Sequence, residues 1–352
     1  MFFKKIVMNI RDLTIEEIKT ELNAMSEQSY RAVQLFDWLH SKMILSLDET
    51  TNIGNSLKKK LVEKFDISFP SIYKEYISNI DETRKYLILL NDGNIIESVL
   101  MKYKYGYSLC ISSQVGCNMG CSFCASTIGG LKRNLEIYEL LSQVYLVSRH
   151  NNIRISHIVI MGSGEPFNNF DNLVKFLDII NDEKGQNISL RNVTISTCGI
   201  VDKIFKLADL EKPLTLALSL HAPNDVIRKE LMPIANKYSI AEVLDAMAHY
   251  FEKTNRRITF EYSLIKDVND GVSNANDLVN LFKESFKNRH IDFNVNLIPV
   301  NVVKENDFER PDMSSVNLFK DILENNHISV TVRRELGKDI SGSCGQLRAS
   351  VK

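Results

Sequence analysis

The sequence predicts an α/β protein whose larger module is a barrel, or an incomplete barrel, of parallel strands joined by crossover helices. Two observations predict this fold. From about residue 106 onward, short β-rich apolar runs alternate with longer segments of helical periodicity, which is typical of parallel strands and their crossover helices. Conspicuous polar residues follow the apolar runs, at the strand ends where such an architecture carries its chemistry.

The elements follow one another along the chain. Before residue 70 the pattern is helical, in IEEIKTELNAM, YRAVQLFDWLHSKM and IGNSLKKKLVEKF. Antiparallel strands are predicted at IYKEYIS, RKYLILL, NIIESVLMKY and YSLCIS, with turns at NDG and KYG. Later strands are predicted at HIVIMG, NVTIST, LTLALSL, ITFEYSLI, FNVNLIPV and ISVTVRR, with helices such as LEIYELLSQVYLVSRH, FDNLVKFLDIIN, IAEVLDAMAHYF and ANDLVNLFKESF between them. We therefore divide the chain into a helical accessory domain at residues 1–70, a β-hairpin linker at 71–105 and a core at 106–352.

Composition narrows the class of protein. The chain has 352 residues, 44% of them hydrophobic and 25% charged, which suits one large core and a smaller module. No apolar run approaches the roughly 20 residues of a membrane span, and the N-terminus lacks a signal-peptide pattern, so we expect a cytoplasmic protein. Thiols stay reduced there, so the six cysteines are expected to bind metal or to react. The formal net charge of −1 argues against a uniformly basic nucleic-acid binder.

Four of the cysteines lie in CISSQVGCNMGCSFCAS. Cys117, Cys121 and Cys124 form C-x3-C-x2-C in a polar, glycine-containing loop after a predicted strand. Three thiolates can hold a 4Fe-4S cluster and leave one iron open, whereas a structural zinc ion would need a fourth protein ligand. Cys110 is the local candidate for that ligand, but it lies within the strand pattern. The open cluster is therefore the better interpretation.

These motifs resemble a known family. C-x3-C-x2-C with Phe123 before the last cysteine, at the first strand of a β/α barrel, resembles the radical S-adenosylmethionine superfamily. Across nearly the whole chain, RAVQLFDWL, CISSQVGCNMGCSFCAS, GEPFNN, ISTCGI, SLHAPNDVIRKELMPI, VNLIPVN and SGSCGQLR resemble the RlmN family of RNA methyltransferases. The resemblance implies a partial (β/α)6 TIM-like radical SAM barrel and methylation of carbon 2 of adenosine.

The resemblance also implies a role for each remaining cysteine. Cys344 would accept a methyl group from one S-adenosylmethionine, and a second S-adenosylmethionine at the cluster would be cleaved to a radical that removes a hydrogen atom from that methyl. The methylene radical would then add to adenine. Glu97 matches the proton acceptor, and Cys110 matches the thiol that attacks Cys344 and ends the cycle as a transient disulfide. Cys198 is interpreted as structural.

Partners and cofactor contacts follow from the same resemblance. The implied substrates are adenosine 2503 of 23S rRNA and adenosine 37 of tRNA, and an electron donor such as flavodoxin or ferredoxin would reduce the cluster. A monomer is expected, because one chain holds every part of the mechanism. Positions matching S-adenosylmethionine contacts are Gly164, Glu165, Ser196, Ser219, Leu220, His221 and Asn301. Our candidates for phosphate contacts are Lys102, Lys104, Lys132, Arg133, Arg333, Arg334 and Arg348, and the helical accessory domain is a further candidate RNA contact.

Two alternatives stay open at this point. One is methylation of carbon 8 of adenosine, as in the antibiotic-resistance enzyme Cfr, although GEPFNN and SLHAPN are closer to the RlmN pattern. The other is a noncatalytic RNA-binding protein in which Cys110, Cys117, Cys121 and Cys124 hold zinc. That alternative leaves Cys344 and the polar strand ends without a role.

Overall fold

Three short helices build the N-terminal part of the chain: α1 (Ile15–Ala24), α2 (Tyr30–Phe36) and α3 (Asn55–Lys64). The structure is a computed structural model that describes residues 8–301, 303 and 306–347. A capping box starts α1, because the Thr14 side chain accepts from the backbone N–H of Glu17 and the Glu17 carboxylate accepts from the N–H of Thr14 at 2.8 Å. The predicted N-terminal helical region is thus present.

The strands of the described residues form one large sheet and one small one. The large sheet begins with the antiparallel strands β1 (Ser71–Ile77), β2 (Arg84–Leu89), β3 (Ile95–Tyr103) and β4 (Gly106–Ile111). A separate two-stranded sheet follows, made of β5 (Gln114–Gly116) and β6 (Leu131–Asn134). The large sheet then continues from β4 through parallel strands: β7 (Ile155–Ile160), β8 (Val193–Thr197), β9 (Thr215–Ser219), β10 (Ile258–Leu264), β11 (Phe293–Pro299) and β12 (Val330–Val332).

Crossover helices connect the parallel strands. They are α4 (Ile137–Asn151), α5 (Phe170–Asn181), α6 (Val201–Asp209), α7 (Asp225–Leu231), α8 (Ile240–Thr254), α9 (Val272–Ser285) and α10 (Met313–Asn325). Strands β4 and β7 to β11 are each followed by a helix before the next parallel strand, which gives six strand–helix units. The predicted partial (β/α)6 barrel is therefore confirmed. None of the helices in the described ranges is long and apolar enough to cross a membrane.

The N-terminal helices pack directly on the barrel. Their buried apolar residues belong to the same continuous core as those of the barrel strands. Two polar contacts join them to α4: Asp12 accepts from the backbone N–H of Tyr138 at 2.7 Å, and His40 Nδ1 lies 2.9 Å from the hydroxyl of Tyr145. Burial lowers the pKa of His40 to about 3, so this histidine is neutral and its hydrogen bond carries the contact.

Replacing Tyr145 with phenylalanine tests this contact. Tyr145→Phe removes the partner of a fully buried imidazole nitrogen, and we expect the free energy of unfolding to fall by about 1–3 kcal/mol. Urea denaturation followed by circular dichroism measures the change. Tyr30→Phe is the control, because the Tyr30 side chain is 57% exposed. Equal midpoints for the two variants would show that the His40–Tyr145 bond contributes nothing to docking.

Candidate active site

The ends of the parallel strands surround a cavity of about 160 Å³. Because parallel strands direct their carboxyl ends to one edge, β7 to β11 all contribute to its wall. The segment between β5 and β6, which we call the cysteine loop (residues 117–130), closes one side. Predicted site residues on the wall are Cys117, Cys121, Cys124, Gly164, Glu165, Ser196, Ser219, His221, Asn301 and Cys344.

The cysteine loop is clamped by its own small sheet. Strand β5 precedes the loop and pairs with β6, which follows it. Gly116, the last residue of β5, has φ +75°. A Cβ on Gly116 would lie 1.9 Å from the carbonyl oxygen of Gly130, so only glycine fits there. Inside the loop, the N–H of Cys124 donates to the carbonyl of Cys121 at 3.1 Å. Strands β5 and β6, of three and four residues, were not predicted, because they are too short to show periodicity.

The three loop cysteines line the same cavity and interact electrostatically with one another. Among the described residues, no three His, Cys, Asp or Glu side chains converge closely enough to share one metal ion. A 4Fe-4S cluster binds each thiolate through a different iron atom, so its ligands stand apart around a shared space. Burial raises the pKa of Cys117 to about 11 and also raises those of Cys121 and Cys124, and bound iron would offset that effect. These residues could therefore hold the cluster.

The C-terminal segment docks against the cysteine loop. The N–H of Ala125, directly after Cys124, donates to the carbonyl of Gly345 at 2.8 Å. The hydroxyl of Ser126 donates to the carbonyl of Leu347 at 2.7 Å. From the opposite wall, the side-chain amide of Asn301 donates to the carbonyl of Cys344 at 2.9 Å. Cys344 is thus held on the wall of the cavity that the three loop cysteines also line.

Cys110 lies behind this segment and does not line the cavity. It sits on β4 opposite Val99 and packs with Met101 and Leu347 in a small apolar cluster. Burial raises its pKa to about 12, while Arg333 interacts electrostatically with both Cys110 and Cys344. This position argues against Cys110 as a fourth zinc ligand. All six cysteines are free, so the expected disulfide bond is absent here, although Cys110 and Cys344 lie close enough to interact electrostatically.

Glu97 is buried beside the same C-terminal segment. Its carboxylate lies 3.3 Å from Nζ of Lys85, which keeps a nearly inaccessible acid paired with a cation. The Lys85 ammonium also donates to the carbonyl of Ser341 at 3.3 Å. Glu97 is absent from the residues that line the cavity. Lys85 therefore links Glu97 to the segment that carries Cys344.

Gly164 and Glu165 connect the end of β7 to the neighbouring strands β5 and β8. Gly164 has φ +105°, and a Cβ there would lie 2.6 Å from Cβ of Gln114. The Glu165 carboxylate accepts from the N–H of Phe167 at 3.0 Å, the hydroxyl of Thr197 at 2.7 Å and the N–H of Cys198 at 2.7 Å. Burial raises its pKa, although these hydrogen bonds oppose the effect. Glu165 therefore braces β8 while facing the cavity.

The remaining predicted cofactor contacts lie at the ends of β8, β9 and β11. The hydroxyls of Ser196 and Ser219 lie 3.4 Å apart. His221 Nδ1 accepts from the backbone N–H of Ser263 at 2.9 Å, and burial lowers the pKa of His221 to about 3, so the neutral ring carries its proton on Nε2. Leu220 is fully buried and does not line the cavity; its N–H donates to the carbonyl of Glu261.

Two buried charged groups near the cavity, Glu261 and Arg228, were not predicted as site residues. Glu261 and Arg333 face each other across the wall, with 3.8 Å between the carboxylate and the guanidinium. Arg333 thus faces the cavity wall while a quarter of its side chain stays exposed, and its contact with phosphate stays a prediction. Arg228 lies beneath the ends of β8 and β9 and is inaccessible to solvent. The sequence signal for Glu261 was a polar residue in the centre of the apolar run ITFEYSLI.

Several predicted phosphate contacts are engaged within the protein. Arg133 forms ion pairs with Asp92 at 2.6 Å and with Glu139 at 2.7 Å. Lys102 pairs with Glu82 at 2.8 Å. Arg348 lies outside the described residues. Any contact of Arg133 or Lys102 with RNA would have to compete with these carboxylates.

Comparisons with known proteins match both parts of the chain. Residues 8–67 match the model of the ribosomal RNA large subunit methyltransferase N-terminal domain, and residues 111–278 match that of the radical SAM superfamily. "Probable dual-specificity RNA methyltransferase RlmN" from Clostridium novyi is 51% identical over 340 residues, which cover 97% of each chain. The protein of the same name from Clostridium botulinum (strain Eklund 17B) is 52% identical, over 97% of this chain and 96% of that one.

A solved structure has the same fold. The crystal structure of a radical SAM methyltransferase from Sphaerobacter thermophilus superposes with a TM-score of 0.92. It is 39% identical to this chain, covering 97% of this chain and all of that one.

Gly116→Ala tests the clamp on the cysteine loop. The added Cβ would collide with the Gly130 carbonyl, and the left-handed backbone alone costs about 1–3 kcal/mol for a residue other than glycine. We expect the iron content after anaerobic reconstitution to fall well below that of the wild type. Gly129→Ala is the matched control in the same loop, because no atom lies within 4 Å of its added Cβ. Equal iron contents would contradict the clamp.

Proposed function

The chain belongs to the RlmN family of radical SAM RNA methyltransferases, and on that premise we propose that it methylates carbon 2 of adenosine 2503 in 23S rRNA and of adenosine 37 in tRNA. One observation carries the proposal. A fourth cysteine, Cys344, lies on the same cavity wall as Cys117, Cys121 and Cys124, in a segment bonded to the cysteine loop. A thiol beside the cluster site is what a methyl-cysteine intermediate requires.

Opposite walls of the cavity would bind different groups. Cys117, Cys121 and Cys124 would hold the cluster, and the strand-end residues on the opposite wall would bind S-adenosylmethionine. When bound, the cluster and two molecules of S-adenosylmethionine per turnover supply the methyl group and the radical that the reaction needs. Glu165 faces the cavity with its carboxylate held in place by Phe167, Thr197 and Cys198, so it would present an acceptor to a cofactor amine.

The chain's own thiols complete the transfer. Cys344 carries the methyl group as a thioether. After the radical has taken one hydrogen atom from that methyl, its carbon would bond to carbon 2 of the adenine, and the unpaired electron left on the adduct would return to the cluster that supplied it. Glu97 takes the proton that leaves carbon 2, and its pairing with Lys85 supports an ionised carboxylate ready to accept it. The thiolate of Cys110 then attacks the sulfur of Cys344. The bond between that sulfur and the methylene carbon breaks, and its electron pair takes up a proton to give the methyl group.

This resolution requires movement of the C-terminal segment. Cys110 is covered by Leu347 and has a raised pKa, so it is unreactive while the segment is docked as described. Arg333 interacts with both sulfurs and would favour the thiolate of either. We further propose that the enzyme acts in the cytoplasm, where its RNA substrates are, with a donor such as flavodoxin or ferredoxin reducing the cluster.

The thiol relay is tested by mass spectrometry of protein and RNA after anaerobic turnover. Wild-type enzyme should show methylated Cys344 and 2-methyladenosine. Cys344→Ala should give neither, because the methyl acceptor is gone. Cys110→Ala should form a protein–RNA adduct through Cys344 that accumulates, because no thiol releases it. A product of 8-methyladenosine would favour the Cfr-like alternative, and a colourless protein with stoichiometric zinc would favour the noncatalytic one.

Glu97→Gln separates proton removal from methyl transfer. Glutamine keeps the shape of the side chain but cannot take a proton, so we expect methylated Cys344 at the wild-type level and at least a hundredfold less 2-methyladenosine, a typical effect of losing a general base. Glu75→Gln is the matched control, since Glu75 pairs with Arg84 and His150 outside the cavity. Unchanged product formation by Glu97→Gln would remove Glu97 from the mechanism.

A further inference from the structure

Helix α7 lies between the cysteine loop and the cofactor-binding strand ends. At its C-terminus, the carbonyl of Leu231 accepts from both the N–H and the hydroxyl of Ser122, at 3.0 and 3.3 Å. Ser122 directly follows Cys121. Gly120 lies close to Pro233, with 3.2 Å between the position of an added Cβ and Cγ of the proline. Helix α7 and the residues directly after it therefore contact the loop on both sides of Cys121.

Arg228 projects from this helix into the protein interior. Its guanidinium donates to the carbonyl oxygens of Cys198 at 2.8 Å, Leu220 at 3.3 Å and Ser219 at 3.4 Å. These residues end β8 and β9, and Ser219 and Leu220 match S-adenosylmethionine contacts. One side chain thus fixes the backbone of two neighbouring strand ends at the cavity.

The charge of Arg228 has no direct counter-ion. Within the described ranges, no carboxylate lies within 4 Å of its guanidinium, and Nη1 is buried without a hydrogen-bond partner. By contrast, Arg333 on the far wall faces Glu261. A buried cation costs several kcal/mol unless another negative group compensates it. Arg228 interacts electrostatically with Cys198, with the carboxylate of Asp225 and with Cys121. A cluster on the loop cysteines would add negative charge on the side of Cys121.

We propose that Arg228 is a positioning residue that holds the S-adenosylmethionine-binding ends of β8 and β9 and whose unpaired positive charge raises the reduction potential of the cluster. The inference rests on the proposed function, because it requires a 4Fe-4S cluster on Cys117, Cys121 and Cys124. Reduction adds one negative charge to the cluster. A buried cation nearby stabilises the reduced state more than the oxidised one, so its removal makes the potential more negative.

The test is a redox titration of the reconstituted protein without RNA, followed by electron paramagnetic resonance of the reduced cluster. Arg228→Met and Arg228→Gln remove the charge, and Gln can still donate to a carbonyl if Met prevents folding. We expect at least a tenfold smaller equilibrium constant for one-electron reduction, a negative shift of about 59 mV. Arg11→Met is the matched control. Arg11 is equally buried and bonds to carbonyls, but it lies in the N-terminal helices and stacks on Phe69.

Arg228→Lys separates the two parts of the proposal. Lysine keeps the charge but cannot bond to three carbonyls at once, so we expect a potential close to that of the wild type together with weaker binding of S-adenosylmethionine, measured by its effect on the cluster spectrum. An unchanged potential in both neutral variants, or an equal shift in Arg11→Met, would overturn the role of the charge. Unchanged cofactor affinity in all variants would overturn the positioning role. A wild-type protein that assembles no cluster would instead contradict the proposed function.

Discussion

The carboxylate of Glu165 joins three parts of the site, and the shape of the cofactor cavity depends on it. Its oxygens accept from the end of β8 and from the turn that follows β7, while its own backbone N–H donates to the side chain of Gln114 on β5. Because β5 clamps the cysteine loop, one buried residue connects the cluster side of the cavity with the strand-end side. Gly164 permits this arrangement, since a larger residue would strike Gln114. A buried acid this well bonded is held in a single orientation.

The C-terminal segment completes the cavity through backbone contacts. The Ala125–Gly345 and Asn301–Cys344 bonds both use main-chain carbonyls, so they position the segment without constraining the Cys344 thiol. Such an arrangement suits a residue whose sulfur changes partners during a reaction. Leu347 packs with Cys110 in a cluster of four buried residues, so the docked segment also covers that thiol.

Periodicity predicted most of the fold, and long-range pairing explains what it missed. The runs HIVIMG, NVTIST and LTLALSL became β7, β8 and β9, because buried parallel strands need continuous apolar residues. The motif residues line one cavity because they follow parallel strands, whose carboxyl ends lie at one edge of the sheet. Ion pairs between residues distant in sequence could not be predicted. The sequence shows Arg133 as a cation without a partner, whereas the fold brings Asp92 beside it. A charged residue in a helical sequence pattern is expected on a solvated face. Arg228 is buried instead, and only the tertiary structure shows this.

The balance of buried charge links fold and chemistry. Two carboxyl groups, Glu165 and Glu261, line the cavity, and two guanidinium groups, Arg228 and Arg333, lie against it. Without iron, the loop thiols are protonated and neutral because burial raises their pKa values, so Arg228 stands unpaired among carbonyl oxygens. Thiolates that bind iron carry negative charge toward that guanidinium. Cluster binding therefore relieves two electrostatic costs together, the desolvated thiols and the unpaired arginine, and the folded protein favours the loaded state on both counts.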